Sequence, residues 1–194
     1  MQCAGLLLTG GASRRMGRDK ALIEVGGRRL VDRAVAALTA VADPVLEVGP
    51  GWSGLAAVRE EPPGSGPLAA VVAGAAALRA AGHAGAVIVL AVDMPFVTAE
   101  LLTLLADRPG PATAVPRGGG HPQVLCARYG PEALAAAARL HAAGGVSLRR
   151  LVESPDAGFE VGWIEPGEWA AVAGPGALAD VDTPGDLRRL VEEP

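Results

Sequence analysis

The sequence predicts a single α/β domain whose central sheet is mostly parallel and flanked by helices. Two observations carry this. Short, almost uniformly apolar runs alternate with longer helical patterns through the first hundred residues, as in successive βαβ units. The run at residues 86–92 is apolar throughout, as expected of a strand covered on both faces. Together they point to a Rossmann-like open sheet, which binds ligands at the carboxyl ends of its strands.

The elements follow in order. Gln2 to Leu8 is a buried strand ending in the pair Gly10-Gly11. Ala21 to Val25 is a short extended piece closed by Gly26-Gly27. Leu30 to Val41 reads as a helix, with Leu30, Val31, Ala34, Val35 and Leu38 on one face. Val45 to Val48 is a strand, and Ala57 to Arg59 a shorter one. The stretch Gly66-Pro67-Leu68 opens an Ala-rich helix to about Ala81, Pro67 suiting a first turn that needs no N–H there. Ala86 to Val92 is the central strand, and Thr98 caps a helix to about Ala106. Beyond it, Ala112 to Pro116 and Gln123 to Ala127 read as strands around a Gly-rich loop. Helices follow at Pro131 to Ala143 and Val146 to Glu153. Strands are expected at Phe159 to Ile164 and Ala179 to Val181, and a last helix at Pro184 to Val191.

Half of the 194 residues are hydrophobic but only 3% are aromatic, so Ala, Val and Leu must fill the core. That length suits one domain. A net charge of −4 argues against a general nucleic-acid surface. Two cysteines, Cys3 and Cys126, are too few for a zinc framework and are expected as buried thiols in a reducing cytoplasm. The first apolar run is too short for a membrane segment.

Against this acidic background the segment from Leu8 to Lys20 stands out. It combines Leu8-Thr9-Gly10-Gly11 with Ser13, Gly17 and the cations Arg14, Arg15, Arg18 and Lys20. Glycine amides can approach an anion closely, and the cations can neutralise it, so the segment is a candidate polyphosphate cradle. It is neither a P-loop nor a G-x-G-x-x-G fingerprint. Read alone, it fits equally an ordinary Gly-rich βα turn with a solvated basic rim.

Asp93 directly follows the central strand. A carboxylate there is placed to hold Mg²⁺ opposite a polyphosphate, or to cap the turn through Pro95. In Asp180-Val181-Asp182-Thr183-Pro184 the two carboxylates share one face of an extended segment, and Asp182 or Thr183 also suits the cap of the last helix.

Leu8-Thr9-Gly10-Gly11, Ser13-x-Arg15-Met16-Gly17 and Asp19-Lys20 together resemble the signature loop of the molybdenum cofactor guanylyltransferases, a branch of the nucleotidyltransferases. The resemblance extends over nearly the whole chain as one nucleotidyltransferase domain, 1–194. It implies a nucleotide-binding half, 1–106, and an acceptor-binding half, 107–194. Asp93-Met94-Pro95-Phe96 resembles the family's metal-binding Asp-x-Pro segment. Gly66-Pro67-Leu68 resembles its Gly-Pro-Leu segment near base and ribose, with Glu61, or less favourably Glu60, in place of the family's preceding Asp. His121-Pro122 resembles the family's His-Pro, and Arg149 and Arg150 fall where the family positions its pterin acceptor. The family usually carries Asn-x-Asn-Thr-Pro near the end. Asp180 and Asp182 depart from that and are closer to the related cytidylyltransferases.

The resemblance implies transfer of GMP from GTP to molybdopterin with Mg²⁺, or Mn²⁺ in its place. Lys20, Arg15 and Asp93 would be the catalytic group. Leu8, Thr9, Gly10, Gly11, Ser13, Glu61, Gly66, Pro67 and Leu68 would join them around the nucleotide. His121, Arg149, Asp180 and Asp182 are candidates toward the acceptor, and Asp182 a second metal ligand. Molybdenum-insertion proteins or molybdoenzyme chaperones are the expected protein partners; no nucleic acid or membrane is. Rival readings are a cytidylyltransferase of the same pathway, a relative using another phosphorylated acceptor, and a nucleotide-binding delivery partner without turnover.

Overall fold

In the computed structural model, residues 3–10, 19–181 and 185–186 are described. One sheet runs through both halves of the chain. Its strands are β1 (Cys3–Leu8), β4 (Ala42–Val48), β5 (Ala57–Val58), β6 (Val87–Ala91), β7 (Thr113–Gly118), β8 (His121–Pro122), β9 (Cys126–Tyr129) and β10 (Val161–Ile164). Their order is β10-β7-β9-β6-β1-β4-β5, with β8 paired to β7. Along that path every neighbouring pair is parallel except where β9 enters, between β6 and β7. A separate hairpin joins β2 (Glu24–Val25) to β3 (Arg28–Arg29) through the Gly26-Gly27 turn.

Strand side chains alternate between two cores. Leu7, Ile88 and Leu90 face α1 (Leu30–Thr39), α3 (Ala99–Asp107) and α6 (Pro166–Ala173). Leu6, Leu8, Val87 and Val89 face α2 (Pro67–Ala80), α4 (Pro131–Ala142) and α5 (Leu148–Glu153). Cover on both sides is why these strands read as unbroken apolar runs. On α2, Gly74 permits a close approach to the sheet: a Cβ there would lie 2.6 Å from Leu6 Cδ2 and 2.8 Å from Val48 Cγ2.

The expected elements form, with local corrections. Lys20–Leu22 is a turn of 3₁₀ helix ahead of β2, so the expected extended piece begins only at Glu24. β7 continues to Gly118, and residues 117–122 form a tight hairpin turned by Gly119 and Gly120 at φ 58° and 78°, values favouring glycine. β9 starts only at Cys126, because Gln123 is held in a turn: its side chain donates to Gly118 O and its carbonyl accepts from Cys126 N. Ala179 to Val181 is not a strand; Val181 N–H makes a single bond to Asp93 O at 2.9 Å. Helix α6 is absent from the sequence prediction. It starts with a reciprocal capping box between Glu165 and Glu168, with Pro166 in the first turn. It docks through buried Trp169, whose indole N–H donates to Arg117 O at 2.7 Å. The expected helix from Pro184 to Val191 lies outside the described residues apart from residues 185–186. No helix of the described residues is long and apolar enough to cross a membrane.

Arg128, on β9, is buried, and its guanidinium donates to the carbonyls of Ala106, Arg108, Pro111 and Ala112. It fixes the α3–β7 connection with donors spread over both sides of a planar fork. An ammonium cannot reach that set. Arg128→Lys is expected to cost about 2–3 kcal/mol, since part-buried carbonyls lose charge-assisted partners; urea unfolding with an unchanged slope measures it.

Candidate active site at the switch point of the sheet

After β1 the chain builds outward through α1 to β4 and β5, then returns by α2 to place β6 on the other side of β1. This reversal opens a crevice at the carboxyl ends of β1 and β6, where an open α/β sheet binds ligands. A cavity of about 350 Å³ lies there. It is lined by Leu8, Thr9 and Gly10 at the end of β1, by Ala91, Val92 and Asp93 at the adjoining end of β6, by Lys20, and by Gly66, Pro67 and Ala70 at the start of α2.

Lys20 and Asp93 meet across the opening, Nζ to Oδ2 at 3.3 Å. The β6 end is held from both sides: Val92 N–H donates to Leu8 O and Val181 N–H to Asp93 O. Asp93 thus has a fixed backbone, and its side chain keeps 28% exposure. Among the described residues no three or more His, Cys, Asp or Glu cluster as a metal cage. One accessible carboxylate still suits a hard divalent cation that takes its remaining oxygens from a polyphosphate and water. The N–H groups of Thr9 and Gly10 both point to Val48 O, at 3.1 and 3.4 Å. Gly11, Ser13, Arg15 and Asp182 lie outside the described residues.

The profile of the MobA-like NTP transferase domain matches residues 5–158. The chain belongs to this family. A probable molybdenum cofactor guanylyltransferase of Chloroflexus aggregans is 36% identical over 97% of this chain and 93% of its own length. Among solved structures, molybdopterin-guanine dinucleotide biosynthesis protein A from Archaeoglobus fulgidus shares the fold with a TM-score of 0.77, at 24% identity over 97% of each chain. The Mycobacterium tuberculosis protein Rv0371c, solved in complex with manganese, has a TM-score of 0.68 at 20% identity, with both chains fully covered.

Within this MobA-like domain the other predicted residues divide. Gly66 and Pro67 line the cavity, whereas Leu68 is fully buried in the core beneath it. Of the glutamate pair, Glu60 lines the cavity and is buried, and it accepts the Gly64 N–H at 2.9 Å; Glu61 is exposed. Arg149 is paired along its helix with Glu153 at 3.2 Å. Arg150 instead lines a second cavity of about 510 Å³ with Arg139, Gly144 and Gly145, between α4 and α5. Because α4 runs opposite to β9, its last turn and this cavity belong to the same sheet edge as Asp93. His121 is exposed on the β7–β8 hairpin, and Asp180 is exposed one residue before the Val181–Asp93 bond.

Glu47 has no place in the sequence prediction, yet it is fully buried at the end of β4. Its carboxylate accepts five hydrogen bonds: from the Thr9 hydroxyl, from the N–H groups of Gly51, Trp52 and Ser53, and from the Ser53 hydroxyl, all at 2.5–3.0 Å. Burial pushes its pKa up, but the Ser53 and Thr9 side chains and the loop amides more than offset this, so it stays below the ordinary carboxylate range. The signal available in the sequence was a single charge inside the apolar run Val45 to Val48.

Proposed function

We propose that this protein is a guanylyltransferase that moves GMP from GTP to the terminal phosphate of molybdopterin and releases pyrophosphate. The observation that carries the reading is the Lys20–Asp93 pair across the crevice at the ends of β1 and β6. It puts a cation for phosphate oxygens and a hard anion for a divalent metal at one opening. The guanylyltransferase name of relatives 35–36% identical over nearly the full chain supports the substrates.

Asp93 would hold Mg²⁺, with Asp182 as a second candidate ligand. Bound with the nucleotide, the metal supplies neutralisation of phosphate charge. Lys20 moves from its carboxylate partner to the triphosphate and stabilises charge on the departing pyrophosphate, with Arg15 and the amides after Gly10 as further donors. The acceptor phosphate is already ionised, so in-line attack on the α-phosphorus needs no general base. Arg139 and Arg150, which line the second cavity, are the proposed contacts for the pterin end of molybdopterin, while its phosphate must reach the nucleotide at the Lys20–Asp93 crevice. Arg149, held by Glu153, is left to the rim.

Glu60 is the proposed reader of the base. A carboxylate accepts from both N1–H and the N2 amino group of guanine, a donor pair that cytosine lacks. Calorimetric titration with GTP and CTP in Mg²⁺ tests this: GTP binds and CTP binds much more weakly. Glu60→Gln is expected to weaken GTP about 10- to 100-fold, the value of a lost charge-assisted pair, and to erase most of the preference. A wild-type preference for CTP would assign the cytidylyltransferase branch, which the Asp180 and Asp182 departure favours.

A further inference from the structure

The loop between β4 and β5 touches both ends of the segment that carries the signature motif. At its entry, the Thr9 hydroxyl donates to Glu47 at 2.5 Å. At its exit, the indole N–H of Trp52 donates to Asp19 Oδ2 at 3.0 Å. Trp52 itself is held by the same carboxylate, through its own N–H and those of Gly51 and Ser53. Glu47 therefore ties together the residue that leads into the segment and the tryptophan that grips its last residue.

Asp19 sits at the N-cap of the 3₁₀ turn Lys20–Leu22, where aspartate ordinarily folds back onto the turn's own amides. Here its side chain makes no cap hydrogen bond and is turned to Trp52 instead. Lys20 is the next residue, and its ammonium reaches Asp93 at the cavity mouth. Ala21 and Ile23, fully buried, anchor the other side of the turn. The backbone of Lys20 is thus fixed between a buried apolar anchor and one indole hydrogen bond.

We infer that Trp52 is a positioning residue for Lys20: through Asp19 it holds the lysine's turn against the β4–β5 loop, and Glu47 sets the loop that presents it. The assignment rests on the nucleotide-transfer reading for its consequence, but the clamp itself is measurable without a nucleotide. Trp52→Phe keeps an aromatic ring and removes only the N–H donor.

Two measurements on the full chain test it. Hydrogen exchange of the ligand-free protein reads the clamp: in Trp52→Phe the amides of residues 20–23 exchange about five- to tenfold faster, the value of one solvent-exposed hydrogen bond, while the melting temperature falls by only about 2–5 °C. GTP calorimetry in wild type, Trp52→Phe, Lys20→Ala and the double variant reads the consequence. Trp52→Phe weakens GTP about fivefold when Lys20 is present and leaves affinity unchanged when Lys20 is alanine. A purely structural tryptophan would weaken both backgrounds equally. Unchanged exchange, or equal losses in both backgrounds, overturns the assignment. Faster exchange in a protein whose wild type binds no GTP leaves the clamp standing and overturns the nucleotide-transfer reading instead.

Discussion

Lys20→Ala is expected to lower kcat/KM for GMP transfer by about 10²- to 10³-fold, some 2.7–4 kcal/mol, the range found when one preorganised donor to developing charge is removed. The lysine is partly buried at the cavity mouth and 3.3 Å from Asp93, so its charge acts where water screens it less than at an open surface. In the nucleotide-free protein the pair holds both groups at the crevice. With a triphosphate present, the same cation has phosphate oxygens to bind and the carboxylate a metal. Asp93→Asn should therefore show a different defect, a higher Mg²⁺ concentration for half-maximal rate, whereas Lys20→Ala should not raise it. Steady-state rates over a Mg²⁺ series distinguish the two. Turnover of Lys20→Ala near the wild-type level would remove the lysine from the mechanism.

The framework of this site was legible in the sequence because its signals are local. The run at β1, the Pro at the start of α2 and Asp93 just beyond β6 need only periodicity and punctuation to be placed. Three features were not local. Glu60 and Glu61 are adjacent and chemically identical, and only the three-dimensional path puts Glu60 against the cavity and Glu61 in solvent. Arg149 and Arg150 differ in the same way: a residue four positions on, Glu153, claims the first and leaves the second facing the cavity. Helix α6 lay behind Pro166-Gly167, which reads as a loop unless Glu165 and Glu168 are recognised as a capping box with its carboxylates at both positions. Apolar residues Val124 and Leu125 had the opposite effect, suggesting a strand where Gln123 makes a turn. In each case a specific polar contact, rather than a pattern, decided the outcome.

Glu47→Gln is expected to destabilise the fold as much as the loss of the Arg128 guanidinium. The substitution keeps shape and volume, so any loss reports charge and hydrogen bonding. In the wild type both carboxylate oxygens face donors: one meets the Thr9 hydroxyl and the N–H groups of Gly51 and Trp52, the other the Ser53 N–H and hydroxyl. An amide can supply an oxygen to only one of these sets. Its NH₂ then opposes the Ser53 N–H or the paired amides of Gly51 and Trp52. The hydroxyls can rotate to accept; the amides cannot. The expected cost is about 2–3 kcal/mol, or a fall in melting temperature of about 4–12 °C for a chain of this size. The pH dependence has a definite sign. The folded-state pKa of Glu47 is held below its unfolded value, so its contribution is fully present above the unfolded carboxylate range and is lost as pH falls through the folded pKa. The gap between wild type and Glu47→Gln should accordingly be widest near neutrality and shrink toward acid. A gap that grew on acidification would mean that Glu47 is protonated in the folded protein. The loop that holds Thr9 and Trp52 would then rest on a neutral carboxyl, whose own O–H would have to find an acceptor among a set of donors.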